Sequence, residues 1–443
     1  MKKTISENHK FSFNAGIVII RAFDKILVIS PSTANWLVLE NENQLSFFNL
    51  LKRLPLGEAL RNFKGDIADC KEVVTQIVAR EFENHDVRSC ITNDTKQLHL
   101  YLTNGCNLRC PHCYMYSGAK KRNELTLEEV KRIILSYSKH GGKSITLSGG
   151  EVSTRSDLQE IVDFASGYDL KIRILTNGVL WSEEQISYIS NRIDAVQVSV
   201  DGYSEDSNAF IRGKGNFIKS LKTLDSFIKH GVPAEIAITP PFSLCAEDEV
   251  ANYVSFCNNL LIKYKDKPFK IKIAEQLIDG RDIHLTEHDS LRYYKFITQI
   301  KSSINGWGTE LESFIRAFKK KEIMDNCMYG VFAIDATGDV FFCSRVSSLK
   351  PIGNIREMEF KDIFEKSRKA QDLSKIDNFR PCKGCELRYI CGGGCRIDYF
   401  PEFAQITDID KVDFTMISER KCSDDIKNRF YKLMIESNIR LYH

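Results

Sequence analysis

The chain has 443 residues, enough for two to four domains. Its 62 basic and 59 acidic residues leave a formal net charge of +3, a balance that calls for neither nucleic acid nor a membrane surface as partner. The N-terminus has no apolar stretch of signal-peptide length and the longest apolar runs are far too short to span a bilayer, so a soluble cytoplasmic protein is expected, in which 14 cysteines argue for metal over disulfides.

Residues 1–92 read as a first unit. Short apolar runs at 15–20, 25–30 and 35–40 predict three strands, and helical patterns follow at 42–51, 57–62 and 71–81. Three strands and then three helices make a small winged-helix-like α+β domain. Trp36 and the apolar run 37–39 read as core, and residues 93–96 as a linker.

From 98 to about 275 strands alternate with helices. The predicted strands are 98–103, 144–148, 171–176, 194–200, 234–239 and 270–274, with helices at 126–139, 156–166, 182–190, 215–230 and 247–263. Six strands joined by helices imply a parallel sheet, which right-handed crossovers curl into a partial (β/α)6 barrel, TIM-like, with its mouth at the strand C-termini.

The first barrel strand runs into Cys106, Cys110 and Cys113, spaced CxxxCxxC. A [4Fe-4S] cluster has four irons, usually held by four thiolates. Three thiolates on one short loop leave one iron open to another ligand, which makes a reactive centre of it. The spacing alone also permits a zinc knuckle, with His112 inside the loop as a fourth ligand. The second strand closes on Ser148, Gly149, Gly150 and Glu151. Glycines let a backbone approach a ligand closely, and a glutamate at a strand end has no obvious place in a core. Thr176 to Gly178 end the third strand and Ser199 to Gly202 the fourth; both also read as ordinary turns.

A helix is predicted at 287–303, and two strand-like runs flank residues 336–339 as a hairpin. The remainder reads as irregular and cysteine-rich to about 422. Its pattern is Cys327, ten residues, Gly338, four residues, Cys343; then Cys382, Cys385, Cys391 and Cys395, and finally Cys422. On spacing alone the four central thiols also suit a zinc ribbon.

The triad together with the Gly-Gly-Glu run resembles the radical S-adenosylmethionine (radical SAM) superfamily. There the amine and carboxylate of SAM chelate the open iron, and one electron from the cluster cleaves SAM to a 5′-deoxyadenosyl radical. The resemblance implies that Gly149, Gly150 and Glu151 meet the SAM amino group, and that Ser199 and Arg212 meet its carboxylate and ribose region. It further implies adenine packing at Thr239 and an adenine contact through the backbone of Tyr114. The C-terminal pattern resembles the SPASM domain, which carries two auxiliary [4Fe-4S] clusters, three clusters in all. By that resemblance Cys382, Cys385, Cys391 and Cys422 hold the outer cluster, and Cys327, Cys343 and Cys395 the inner one. Residues 318–326 offer no fourth thiolate to the inner cluster, so it has an open iron unless Cys245 or Cys257 swings in. Otherwise Cys70, Cys90, Cys245 and Cys257 read as small buried hydrophobes.

The N-terminal unit resembles the recognition element of enzymes that mature ribosomally synthesised, post-translationally modified peptides (RiPPs), which takes a precursor's leader as an added strand. The resemblance therefore implies a radical SAM/SPASM peptide maturase in three parts: a peptide-binding domain at 1–92, a core barrel at 93–285, and a bridging helix with the SPASM domain at 286–443. It implies a C–C or thioether crosslink in a precursor peptide, and a flavodoxin or ferredoxin as reductant. Two other readings are an anaerobic sulfatase-maturase-like enzyme, which Ser344 in place of the expected aspartate disfavours, and a leader-binding protein with clusters but no turnover.

Overall fold

The structure, a computed structural model, describes residues 5–83, 89–90, 96–305, 310–319, 322–412, 417 and 422–442. Residues 93–95 of the expected linker, and the expected boundary at 92/93, lie outside them.

The N-terminal sheet is an antiparallel meander, β1 (Val18–Ala22), β2 (Lys25–Ser30) and β3 (Asn35–Leu39), followed by α1 (Glu42–Leu51), α2 (Leu56–Asn62) and α3 (Ile67–Ala79). The order is the expected one, with β1 shifted toward the C-terminus because the chain reverses at Phe23 and Asp24. Both of these have positive φ, 50° and 59°, the mark of a two-residue hairpin turn. Helix α3 starts before the expected residue 71 because Asp66 caps it, accepting from the Ala68 N–H at 2.9 Å. Both faces of the sheet are covered. Ile26, Val28, Leu37 and Leu39 pack under the three helices. Leu27, Ile29, Trp36 and Val38 pack against α11 (Glu310–Lys319) and the last helix, α15 (Asp424–Tyr442). Trp36 is core, as expected; its indole N–H donates to the Met434 carbonyl at 3.2 Å. A two-residue parallel pair, β4 (Ser89–Cys90) with β11 (Glu322–Ile323), adds a further tie between the first unit and the C-terminal region.

The barrel strands are β5 (Gln97–Tyr101), β6 (Ser144–Ser148), β7 (Lys171–Thr176), β8 (Ala195–Ser199), β9 (Ala234–Ile238) and β10 (Phe269–Ile273), all parallel and adjacent in that order. Their helices are α4 (Leu127–Lys139), α5 (Leu158–Ser166), α6 (Glu183–Ser190), α8 (Asn216–Lys229) and α9 (Glu247–Lys263), close to the expected bounds. A short α7 (Glu205–Arg212), which the sequence reading lacks, fills the turn after β8 and delivers Arg212. Alternation along the strands sorts the side chains. Leu98, Leu100, Ile145, Leu147, Ile172, Ile174, Val196, Val198, Ile236 and Ile238 are buried in the apolar layer shared with the helices. The intervening positions carry polar groups such as His99, Thr146, Arg173, Gln197 and Glu235. Arg173 pairs with Glu235 at 2.7 Å, and burial pulls the His99 imidazole down to about 4, so it is neutral at pH 7.

The C-terminal region begins with the expected helix α10 (Glu287–Ser303). The expected hairpin is present as β12 (Ala333–Ile334) and β13 (Asp339–Phe341), but it is not a separate unit. Strand β12 pairs in parallel with β5, and β13 and β14 (Gly353–Asn354) extend the sheet to nine strands. Among the described residues, five helices occupy chain that the sequence reading leaves without regular structure: α11; α12 (Phe360–Leu373), whose Phe360 and Ile363 join the barrel core; the short α13 (Arg388–Cys391) and α14 (Arg396–Tyr399); and α15. Among the described residues, no helix is long and apolar enough to cross a membrane.

Arg356 fastens this region to the barrel. Its guanidinium donates to Glu129 at 2.6 and 3.1 Å, while Glu129 also closes the capping box of α4 with Thr126. These bonds hold the Glu129 carboxyl down to about 2, against an ordinary 4.5. A depressed carboxyl stabilises the fold fully above 4.5 and loses that contribution as pH falls toward 2. Glu129→Gln should therefore lower thermal stability at neutral pH, with the gap from wild type closing between pH 4.5 and 2 in a melting series. A gap that widens on acidification contradicts this assignment.

Candidate active site and cysteine arrays

The cysteine loop is closed on itself before any ligand is added. Thr103 Oγ1 and the Asn104 N–H both donate to Glu124, each at 2.8 Å. The Cys106 N–H donates to the Gly118 carbonyl at 2.8 Å, and the Gly118 N–H returns to Asn104 at 3.0 Å. From the far side, Arg281 donates to the Cys110 carbonyl at 3.0 Å and the Asp282 N–H to Pro111 at 2.8 Å. Cys106, Cys110 and Cys113 thereby face one cavity of about 420 Å³ at the C-terminal mouth of the barrel. Burial raises the Cys106 thiol and pushes Cys110 up to about 11. These thiols become thiolates only where a cation pays the desolvation. Amide donors already point at the sulfurs, from Leu108 to Cys106 and from Ser117 to Cys113, both at 3.4 Å.

Gly149 and Gly150 line the same cavity, and the structure adds a reason for their being glycines. A Cβ on Gly149 would lie 2.4 Å from the Thr103 carbonyl oxygen, and one on Gly150 2.3 Å from that of Gly105. The cysteine loop is pressed backbone to backbone on this turn, with N–H bonds from Gly150 to Thr103 at 2.7 Å and from Glu151 to Gly105 at 2.8 Å. The Glu151 carboxylate, expected at the SAM amino group, turns away into the protein instead: Glu151 is absent from the residues that line the cavity and is fully buried. It accepts from Thr176 Oγ1 and the Asn177 N–H, both at 2.6 Å, and from Ser153 Oγ at 2.8 Å. Burial raises this carboxyl and its donors oppose the rise. The side chain fixes the third strand end, so that Asn177 reaches the cavity beside Cys106.

Ser199, Arg212, Thr239 and Tyr114 also line the cavity. Arg212 is held by Asp201, Nε to Oδ2 at 2.7 Å, and the same oxygen lies 3.2 Å from His112 Nε2. Asp201 Oδ1 accepts from the Thr239 N–H at 3.1 Å. Asp201 is fully buried, yet Arg212 and His112 hold its carboxyl down to about 2 against the cost of burial. The sequence reading misses Asp201 and Arg281, and sees His112 only as a zinc alternative. The available signal was the aspartate inside the Ser199 to Gly202 turn, read there only for its serine.

The C-terminal thiols gather in two places. Cys382, Cys385, Cys391 and Cys422 line one cavity of about 160 Å³, with Glu386 and Lys427 at its wall. Cys327 and Cys343 both lie close enough to Cys395 for that thiol to perturb their ionisation. The Cys327 thiol is pulled down, chiefly by its neighbour Cys395, and it also accepts from the Arg396 N–H at 3.2 Å. Cys245 and Cys257 sit instead in the apolar layer of the barrel, each thiol pushed up to about 12 by burial. Cys70 is likewise core; the Cys90 side chain and residues 320–321 lie outside the described part. Among the described residues no three His, Cys, Asp or Glu groups are gathered as a single metal ion requires. A four-iron cluster asks for wider spacing, since each thiolate takes a different iron. The shared cavities, the amide donors and the all-sulfur ligand sets fit such clusters.

Residues 100–248 match the profile of the radical SAM superfamily, and residues 326–386 that of the SPASM iron-sulfur cluster-binding domain. The chain carries a radical SAM domain and a SPASM domain. It is similar to the sporulation killing factor maturation protein SkfB of Bacillus subtilis, 28% identical over 294 residues, 65% of this chain and 69% of that protein. It is also similar to the mycofactocin maturase MftC of Mycolicibacterium smegmatis, 26% identical over 307 residues, 66% and 76% of the two chains. Its fold resembles native anSMEcpe with bound AdoMet and Cp18Cys peptide, with a TM-score of 0.57 at 19% identity over 78% of this chain and 98% of that one. The protein is thus a radical SAM enzyme, built on a partial barrel with a cluster-binding extension.

The loop-on-glycine packing predicts that Gly150→Ala displaces the cysteine loop, because backbone atoms cannot yield to a Cβ at 2.3 Å. A displacement near 1 Å at a reacting centre costs roughly 100-fold in rate. 5′-Deoxyadenosine formation should fall by that order while iron at the C-terminal arrays stays; wild-type turnover would refute the packing argument. Glu151→Gln should also slow SAM cleavage and lower stability, because an amide cannot accept all the bonds the carboxylate takes, and a buried donor left unmet costs about 1–3 kcal/mol. A melting curve and a turnover assay check both.

Proposed function

We propose that this radical SAM enzyme matures a ribosomally made precursor peptide in the cytoplasm, closing a C–C or thioether crosslink, and draws electrons from a flavodoxin or ferredoxin. One observation supports the reading: the hairpin that ends at Cys343 is held at the barrel mouth. Because β12 pairs with β5, Tyr101 at the end of β5 donates its hydroxyl to the carbonyl of Ser344, next to Cys343. The Tyr101 and Tyr114 hydroxyl oxygens lie 3.4 Å apart, and Tyr114 follows Cys113. A cluster ligand as near the cavity as Cys343 suits chemistry in which a substrate sits between two redox centres. The names of the relatives, a maturation protein and a maturase, support a peptide substrate.

When bound, SAM and three [4Fe-4S] clusters would supply the one-electron chemistry: cleavage of SAM, removal of a hydrogen atom from an unactivated C–H, and uptake of the electron left as the crosslink closes. The chain's own part is to hold and orient. Cys106, Cys110 and Cys113 would take three irons of the first cluster. Ser199 and Arg212 would meet the carboxylate and ribose region of SAM, Gly149 and Gly150 its amino end, and Tyr114 and Thr239 its adenine. Cys382, Cys385, Cys391 and Cys422 would hold the outer auxiliary cluster, and Cys327, Cys343 and Cys395 the inner one, with one iron open. The barrel wall would help to keep water from the reacting C–H.

The N-terminal sheet would bind the leader. Its faces are covered, so only its edges are candidates. At β3 the Gln76 side chain accepts from the Val38 N–H at 2.9 Å and donates to its carbonyl at 2.7 Å, which closes that edge at its centre. Among the described residues, strand β1 has a partner strand on one side only. Adjacent residues of a strand point their N–H groups to opposite sides. Of Ile19→Pro and Ile20→Pro, one therefore breaks the bond to β2 and the other removes a free-edge donor. The variant that stays folded should modify a precursor from the small reading frames beside the gene roughly tenfold more slowly, with peptide-independent SAM cleavage unchanged. Mass spectrometry of the peptide decides; wild-type rates in both variants would remove β1 as the leader site, and no peptide product from wild type would overturn the function.

A further inference from the structure

Between the two C-terminal arrays the chain buries a cation with no carboxylate beside it. Arg396 follows Cys395 directly and is withdrawn from solvent entirely. Its Nε donates to the Ser374 carbonyl at 2.7 Å, Nη1 to those of Gly392 and Gly394 at 3.0 and 2.7 Å, and Nη2 to that of Asp325 at 3.1 Å. The ring of Phe379 lies against the guanidinium, its centre 5.3 Å from Cζ. Each acceptor is a neutral backbone carbonyl, and no carboxylate among the described residues forms an ion pair with Arg396. Arg345 is the contrast. It too reaches Cys395, Nη1 to Sγ at 3.5 Å, but the same nitrogen meets the Asp398 carboxylate at 2.6 Å.

Carbonyl oxygens satisfy N–H groups without cancelling a charge, and arginine stays protonated in proteins. Burying a charge with no counter-charge is strongly unfavourable. What surrounds this one is sulfur. Gly392, Gly393 and Gly394 have φ of 65°, 74° and 70°, which coils the run around the guanidinium. A Cβ on Gly393 would lie 3.2 Å from Nη1, and Gly393 also lines the cavity of the outer array. Cys391 precedes the run and lines that same cavity, while Cys395 ends the run in the inner array. The Arg396 N–H itself donates to Cys327 Sγ at 3.2 Å. Sulfurs of both arrays thus flank one cation. A [4Fe-4S] core with its thiolates is an anion, and it gains a further negative charge when it takes up an electron.

We infer that Arg396 is the counter-charge shared by the two C-terminal clusters: it lies in the wall between them, offsets their negative charge, and raises the potential at which each takes up an electron. This rests on the reading of the two arrays as [4Fe-4S] sites. It adds a residue that holds no iron yet decides how readily both clusters are reduced. Net charge near a cluster sets its potential, and a cation acts most strongly where water is excluded.

The test is an EPR-monitored redox titration of the full chain, reconstituted anaerobically. The same chain with alanine at Cys106, Cys110 and Cys113 assigns the signals, because there only the arrays report. Arg396→Gln removes the charge and keeps a donor; Arg396→Lys keeps the charge. Arg396→Gln should make reduction of both array clusters roughly tenfold less favourable, a fall of about 59 mV for one electron, and leave the first cluster unmoved. Arg396→Lys should return both toward wild type, which a role in packing alone does not predict. If Arg396→Gln loses iron from the arrays, Arg396→Lys must keep it for the inference to stand. Unchanged or higher potentials in Arg396→Gln, a shift confined to one array or shared by the first cluster, or an Arg396→Lys chain that fares no better than Arg396→Gln, overturns the inference. Wild type that takes up no iron at the arrays overturns instead their reading as cluster sites.

Discussion

Strand β5 carries the constraint on which the rest depends. It pairs with β6 on one edge and β12 on the other, and its C-terminal end turns directly into the cysteine loop. The first pairing sets the loop on Gly149 and Gly150, where backbones touch and no side chain would fit. The second brings the hairpin that ends at Cys343 to the barrel mouth. A shift of register in β5 would reverse which side chains face the apolar layer, and would separate the three thiols from both neighbours at once.

Buried charge does the finer placing. Asp201 and Glu151 are both withdrawn from solvent, and each spends its oxygens on groups that line the cavity. Removing one partner from a buried charged pair is strongly destabilising, so such groups fix geometry even where they add little net stability. Lining groups set by buried carboxylates hold their positions before any ligand arrives, and a preorganised cavity is what hydrogen abstraction from one chosen C–H requires. The N-terminal sheet is bound into the same body. Its second face packs on α15, and α15 in turn follows Cys422.

Much of this was legible in the sequence because the chemistry is local. A triad on one loop and an array of seven spaced thiols show without tertiary information, and the barrel strands show as apolar runs between amphipathic helices. What was not legible is what depends on distant pairing. Helix α15 carries a mixed, mostly polar sequence whose apolar side has meaning only against Trp36 and its neighbours. The docking of β12 on β5 is set by sheet closure, which no local pattern encodes. Asp201 looks like a turn residue until His112 and Arg212 are brought to it. The glutamate of the Gly-Gly-Glu run was noticed, but its partners Thr176 and Asn177 belong to another strand end.

The central claim is that Cys106, Cys110 and Cys113 hold a cluster that cleaves SAM while the C-terminal arrays hold two more. Iron content and 5′-deoxyadenosine formation in the anaerobically reconstituted chain, with and without alanine at those three cysteines, test it most directly. Three four-iron clusters predict roughly twelve irons per chain, about four of them lost with the triad together with all SAM cleavage. Zinc in place of iron at the arrays, or SAM cleavage that survives loss of the triad, would contradict the account.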